Sequence, residues 1–286
     1  MIPTQASPGA PRLRDSTWLA IFAHPDDESL ACGGTLARLS DLGATVVVLC
    51  ASRGECGFVT DPSLLENGDV GEARARELLA AGRVLGVRVV HQLAHPDGNV
   101  RWDGGVQLGA DVRAAIERYR PDAVITFDRD GLYWHADHLG VHEETSHVVG
   151  SLAANAPHLY YVTVAPDMMC SVTDRARAKS WVPPSKGLWS LEPAAFGAAA
   201  PAPTFAVDTR PWVPRKLAAL QCHRTQMGAV NPFSLLDQAH ALSLLGLEYF
   251  RRAPHAGRRE PLLEELATLP LMCDVTSVAG ALERAS

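Results

Sequence analysis

Residues Thr17 to Cys50, TWLAIFAHPDDESLACGGTLARLSDLGATVVVLC, decide the architecture. The run Thr17–Ala23 is short, apolar and rich in large side chains, as a buried strand is. From Glu28 to Leu42 apolar residues recur at helical spacing, with Leu30, Leu36 and Leu39 on related faces, and Gly43 ends the pattern. Thr45–Cys50 is a second strand, because consecutive β-branched residues suit a sheet covered on both faces.

The same alternation continues outward. Gly71–Leu85 has helical periodicity, with Arg and Glu outside and Leu78, Leu79, Val84 and Leu85 inside. A strand over Val87–His91, a helix over Val106–Arg118 and a strand over Asp122–Phe127 follow. A helix over His138–Ala154 and a strand over Leu159–Val164 complete the regular part. Strands alternating with helices predict an α/β fold, a Rossmann-like, mostly parallel sheet with helices on both faces. In such sheets ligands bind outside the carboxyl ends of the strands. After Pro166 the pattern turns irregular, with Pro183-Pro184, an Ala/Pro stretch over Ala198–Pro203 and several tryptophans, which predicts a smaller irregular C-terminal layer. Helices are expected over Pro214–Met227 and Leu235–Leu245, and Leu262, Leu263, Leu266 and Leu269 give the tail a face that can pack.

Composition excludes several classes. A net charge of -6 offers no electrostatic reason for nucleic acid or an anionic membrane as partner. No basic leader with an apolar run opens the chain, and no apolar stretch approaches the roughly 20 residues of a membrane span. A cytoplasmic location without membrane insertion is expected. Cys32, Cys50, Cys56, Cys170, Cys222 and Cys273 form no C-x-x-C pair and are expected as free, buried thiols.

Two motifs carry chemistry. Ala23-His24-Pro25-Asp26-Asp27-Glu28 stands directly after the first strand and before a helix. Three carboxylates and an imidazole there repel one another and lose solvation unless a cation compensates them. His24 and Asp27 can converge on one ion, with Asp26 beside it; the same residues would also serve as a solvated turn with a helix N-cap. The second motif, Asp128-Arg129-Asp130-Gly131-Leu132-Tyr133-Trp134-His135-Ala136-Asp137-His138, again joins a strand to a helix. It offers His138 as a further nitrogen ligand and His135 as an imidazole that Asp137 can orient and keep cationic near neutrality. Alone, it is equally a polar surface loop. Together the two motifs fall at strand carboxyl ends on one face, and a His/Asp/His set leaves one position for water, as catalytic zinc sites do.

With these residues in place, the chain resembles the LmbE/PIG-L family of zinc-dependent N-deacetylases. That family includes the deacetylases of mycothiol and bacillithiol synthesis and enzymes acting on GlcNAc-phosphatidylinositol and chitobiose. The resemblance runs through AHPDDE at 23–28, Gly33-Gly34, SRGECG at 52–57, RARE at 74–77 with Leu85-Gly86-Val87, Pro96-Asp97-Gly98 and HADH at 135–138. Lys216 to Gln226 is similar to the family's late K-x-x-A-x-x-x-H-x-S-Q element, with Thr225 in the Ser position. The resemblance implies metal ligands His24, Asp27 and His138, general base Asp26, and His135 paired with Asp137 as transition-state stabiliser or acid. It also implies substrate contacts from Arg74 and from a mobile Tyr133. Trp134 and Ala136 depart from the common H-P-D-H, which alters the pocket rather than the ligands. His142 is expected near the site or at the surface, His223 as support or packing, and His91, His95, His147, His158, His240 and His255 have no assigned role.

The expected activity is hydrolysis of an N-acetyl group on an amino sugar or an aminoglycoside-like metabolite. The rivals are an amidase on a larger amide, such as a thiol–sugar conjugate, and a non-catalytic sugar-binding member of the family. A dinucleotide site is not expected, because the first strand-to-helix turn is His-Pro-Asp-Asp-Glu and lacks glycines. Zinc is the expected metal, with iron an alternative since His and carboxylate ligands accept both. The partner is a small-molecule N-acetylated sugar, and a homo-oligomer is left open. The division expected is a flexible tail over 1–14, a single catalytic domain over 15–254 (core 15–165, added layer 166–254) and an extension over 255–286.

Overall fold

The strand β1 (Thr17–Phe22) pairs in parallel with β2 (Thr45–Ser52) on one side and, across the sheet, with β4 (Ala123–Phe127) on the other. This arrangement comes from a computed structural model, which describes residues 13–59, 61–102, 105–228, 231–254 and 262–271. Strand β3 (Val89–His95) lies outside β2, and β5 (His158–Thr163) lies beside β4, both parallel. The late strands β6 (Phe205–Asp208) and β7 (Leu247–Arg252) close the far edge in antiparallel sense, giving seven strands in the order β3-β2-β1-β4-β5-β7-β6. The sheet is the mostly parallel α/β type that the sequence predicts.

Crossover helices cover both faces. Helices α1 (Asp27–Asp41) and α2 (Val70–Leu85) pack with one another and with α6 (Val213–Cys222), while α3 (Gly105–Tyr119) packs with α4 (Ala136–Ser151). Between α4 and α6 comes α5 (Met168–Arg177); α7 (Gln238–Leu245) and the short α8 (Leu263–Thr268) come after. Trp18, Leu19, Ile21 and Phe22 are wholly buried from both faces, as a covered parallel strand requires. Each such side chain contributes about 1.5–3 kcal/mol relative to exposure.

Several boundaries differ from expectation, each for a local reason. Val87 belongs to the end of α2 rather than to β3, because Gly86 turns left-handed and the Val87 amide donates to the Gly82 carbonyl at 2.8 Å. The helix expected over Pro214–Met227 breaks at His223 (φ -83, ψ 56) into α6 and a single turn, Arg224–Met227. Helix α7 starts late, where Asp237 accepts from the His240 amide at 2.9 Å. Helix α5 and strands β6 and β7 were not foreseen. Cys56 is exposed and Cys170 and Cys222 are half-buried, so only Cys32 and Cys50 match the expected burial; these five thiols are free. Cys273, His255, residues 1–12 of the tail and most of the C-terminal extension lie outside the described residues. Among the described residues, no helix is long and apolar enough to cross a membrane.

Candidate active site

Strands β1 and β4 are neighbours whose following helices leave toward opposite faces, so a crevice opens beyond their carboxyl ends. Both motifs sit there. The loop after β1 turns sharply, with Asp26 at φ 120 and ψ -26, and the loop after β4 places Leu132 and Trp134 at φ 64 and 66. Left-handed backbone at non-glycine residues costs of order 1–3 kcal/mol each and persists where the surroundings hold it. Here Arg74 holds the first loop: its guanidinium donates to the Pro25 carbonyl at 2.6 Å and the Asp26 carboxylate at 3.2 Å. The Asp26 amide in turn donates to Glu28 Oε2 at 3.1 Å. In the second loop, the Leu132 carbonyl accepts from the Gly197 amide at 2.7 Å.

His24, Asp27 and His138 converge. His24 Nδ1 lies 3.1 Å from His138 Nε2 and 3.5 Å from Asp27 Oδ2, and His138 Nε2 lies 3.2 Å from Asp27 Oδ1. Four-coordinate zinc with nitrogen and oxygen ligands at about 2.0–2.1 Å sets ligand atoms about 3.3–3.4 Å apart. The spacing therefore fits one shared ion. All three residues are buried, and the His138 ring is fixed by Nδ1 at 3.0 Å from the Gly131 carbonyl and by stacking on Phe127. A nitrogen of His135 also lies within 4.8 Å of the His24 and His138 nitrogens.

Behind these donors stands a second rank of carboxylates. His24 Nε2 is 3.1 Å from Asp137 Oδ2 and 3.1 Å from Asp97 Oδ1. Asp137 accepts from the Gly98 and Val100 amides at 2.7 and 3.0 Å, and Asp97 accepts from the Cys56 amide at 2.7 Å. Burial pulls the His24 pKa down, but hydrogen bonds to Asp137, Asp27 and Asp97 outweigh it and leave it well raised. Burial pushes Asp27 up, yet His138 and His24 hold it well below the usual range; Asp97 is held at about 2 against the same burial. Three ionised carboxylates around one imidazole make a place for positive charge, and this donor set fits a divalent cation.

The expected pairing of Asp137 with His135 is not what the structure has. The Asp137 carboxylate faces His24, and only its backbone amide reaches His135, donating to Nδ1 at 3.3 Å. That contact leaves the proton of a neutral His135 on Nε2. Nor is His135 cationic: burial, with the charges of His138 and His24, pushes its pKa down to about 4. A dication in the same place would push the same way.

Arg74 is 4% exposed; its two terminal guanidinium nitrogens donate to Gly54, Pro25 and Asp26 and hold the loop, while its Nε has no partner among the described residues. A Cβ at Gly54, which has φ +64, would stand 2.2 Å from the guanidinium, so glycine there makes room for the clamp. Burial pushes the Asp26 pKa up to about 6, against the lowering charge of Arg74, a value suited to taking a proton near neutrality. The Tyr133 ring lies 5.2 Å from His138 and 4.5 Å from Phe196, and its hydroxyl is kept protonated by burial beside Asp27 and Asp26. His24, Asp26, Asp27, Arg74, Tyr133 and His135 all line one cavity of about 380 Å³.

Sequence reasoning gave no role to Asp97 and left His223 open. Asp97 stood inside Pro96-Asp97-Gly98, but nothing local says that β3 delivers it to His24. His223 lies 2.9 Å from Glu28 Oε1, beneath the Asp26 loop, with both residues almost wholly buried. His142 Nδ1 is 2.9 Å from the Phe127 carbonyl, outside the donor set.

Fold and site together define a hydrolase built around a group of residues able to hold a metal. A family model described as PIG-L, GlcNAc-PI de-N-acetylase, matches residues 19–149. The chain belongs to this family. It is 30% identical over 254 residues to a 1D-myo-inositol 2-acetamido-2-deoxy-alpha-D-glucopyranoside deacetylase of Acidothermus cellulolyticus, covering 81% of this chain and 87% of the relative. A protein of the same name from Nakamurella multipartita is 33% identical, with 82% and 87% covered. Among solved structures, the N,N'-diacetylchitobiose deacetylase of Pyrococcus horikoshii shares the fold with a TM-score of 0.57, 22% identity and 84% of each chain covered.

Proposed function

We propose that this chain is a zinc-dependent N-deacetylase that releases acetate from a 2-acetamido-2-deoxy-glucoside. The single observation that carries the reading is the meeting of His24, Asp27 and His138 at 3.1–3.5 Å with Asp26 beside them, in a chain whose relatives are named deacetylases. A cation held by those three residues supplies Lewis-acid chemistry, polarising the acetamide carbonyl and favouring hydroxide over water. Asp26, oriented by Arg74, takes the proton of the attacking water and returns it to the departing amine. Neutral His135 donates from Nε2 to the oxygen that gains charge. Asp137 and Asp97 orient His24. Tyr133, protonated and lining the same cavity, is a second candidate donor to that oxygen. A small N-acetylated sugar as substrate and a cytoplasmic setting accord with the composition.

The test is acetate release from N-acetylglucosaminides by zinc-loaded protein, read as a 42-dalton loss in the sugar (acetyl replaced by hydrogen). Asp26→Ala is expected to keep the metal and lose on the order of 10²–10⁴-fold in kcat. Retained turnover would reassign the base. Release of an amine only from bulky amides would favour the amidase reading, and tight sugar binding without turnover the non-catalytic one.

A further inference from the structure

An aspartate at the N-cap of a helix ordinarily spends its carboxylate on the amides of the first turn. Asp26 stands in that place before α1, yet its side chain makes no such bond. It lines the catalytic cavity instead, with its carboxylate 3.2 Å from Arg74 and its backbone at φ 120. The backbone is what Glu28 holds: Glu28 Oε2 accepts from the Asp26 amide at 3.1 Å. The other oxygen, Oε1, accepts from Ser29 Oγ at 2.5 Å and lies 2.9 Å from His223 Nε2. One carboxylate is thus divided between the base and an imidazole that comes 195 residues later in the chain. Glu28 and His223 are 1% and 0% exposed and neither lines the cavity, so neither touches a substrate there. The imidazole is itself held in place. Helix α6 breaks at His223, and Thr225 ties the turn beyond it to α2, its amide and hydroxyl donating to Glu77 at 2.8 and 2.7 Å. A pair that only joined α6 to α1 would be served as well by apolar side chains of similar volume. The bond from Glu28 to the Asp26 amide is what such side chains could not supply.

We propose that Glu28 and His223 are positioning residues for the general base. His223 fixes the Glu28 carboxylate, and Glu28 holds Asp26 in the positive-φ turn that leaves its own carboxylate for the attacking water. The inference rests on the role given to Asp26 above. A base displaced by a fraction of an ångström loses turnover while the metal and the binding of substrate stay as they were.

The experiment measures kcat, KM and bound zinc for acetate release from an N-acetylglucosaminide. His223→Leu is expected to lower kcat by about 10–100-fold with KM within about two-fold and zinc retained. His223→Gln, whose amide nitrogen can take the place of Nε2, should recover most of kcat. The double variant Glu28→Met with His223→Leu leaves no buried charge unpaired, so its urea midpoint should stay near native while kcat stays low. A merely structural pair predicts the reverse, with kcat returning as stability does. Native kcat in the double variant, zinc lost in step with kcat, or His223→Gln no better than His223→Leu overturns the proposal. Should His223→Leu fail to fold, the double variant and His223→Gln decide. Full turnover in Asp26→Ala would remove the base itself, whereas an impaired Asp26→Ala beside an unimpaired double variant removes only the positioning. If no glycoside yields acetate, the deacetylase reading falls, and hydrogen exchange of the Asp26 amide in zinc-loaded protein becomes the measure. Exchange should then be about ten-fold faster in the double variant and near native in His223→Gln; an unchanged rate in the double variant overturns the proposal.

Discussion

Both oxygens of the Asp137 carboxylate are committed, Oδ2 to the Gly98 amide and His24, Oδ1 to the Val100 amide. An amide nitrogen in either place would face a donor. Asp137→Asn is therefore expected to weaken zinc affinity by about 10–100-fold, measured by competition with a chromophoric chelator; unchanged affinity would remove Asp137 from the support of His24. His135, with its pKa near 4, is already neutral across pH 5–8. His135→Ala should thus lower kcat more than it raises KM, without removing an ionisation from the pH–rate profile in that range. At this scale much was legible. His24, Asp26, Asp27 and His138 stand in two short runs at strand ends, where spacing alone brings them onto one face. What spacing does not carry is which carboxylate each imidazole meets. Asp137 reads as the partner of His135 because the two are neighbours in sequence, yet the helix start turns its side chain the other way. Asp97 comes from a third loop altogether.

Helix α1, which presents Asp27, is not regular. It departs from helical geometry at Cys32 (φ -144, ψ 25), and the amides of Gly34 and Thr35 turn to Glu248 of β7 at 2.9 and 2.6 Å. Lys216 of α6 completes the pairing at 2.6 Å from Glu248, and Gly34 is small because Thr209 presses on it: a Cβ would stand 2.6 Å from the Thr209 Cβ. Removing one partner of a buried pair costs about 3–5 kcal/mol. Lys216→Met should accordingly lower the urea midpoint steeply, and adding Glu248→Gln should restore part of the loss. A second stitch joins α6 to the site, between His223 and Glu28. Burial lowers the His223 pKa but the Glu28 charge overrides it, so it is raised from 6.5; burial likewise raises Glu28 but His223 brings it below 4.5. The His223 contribution is full below about 6.5 and fades as pH rises through its folded pKa. That of Glu28 is full above about 4.5 and fades as pH falls through its folded pKa. The melting-temperature gap between the native protein and His223→Gln, both metal-free, should thus be widest between about pH 4.5 and 6.5. A gap independent of pH would deny the pairing. The core helices and parallel strands were legible from their periodicity. Strands β6 and β7 were not, because β7 (LEYFRR) carries charges that meet partners from distant elements, Glu248 with Lys216 and Arg251 with Asp128, and its apolar pattern is short.

Across the whole molecule, the donors come from two loops more than a hundred residues apart in the chain, so an ion held there would cross-link them. At a free-metal concentration about a thousand times Kd, binding adds about 4 kcal/mol of stability. In a chain of this size that is worth about 2–4 °C per kcal/mol. Chelation is expected to lower Tm by roughly 10 °C in a calorimetric scan, and zinc to restore it; an indifferent Tm would mean that the cluster holds no ion. The sheet order carries one more consequence. Because β7 arrives after β6 in the chain yet lies between β6 and β5, β6 has, among the described residues, no strand to bond until β7 is made. A nascent or nicked polypeptide that stops short of Leu247 therefore bares the flank of β5 and strands β6 alone, and open flanks of this kind invite pairing between molecules. Whether those flanks are covered thus depends on six residues, Leu247–Arg252, that stand outside the donor cluster.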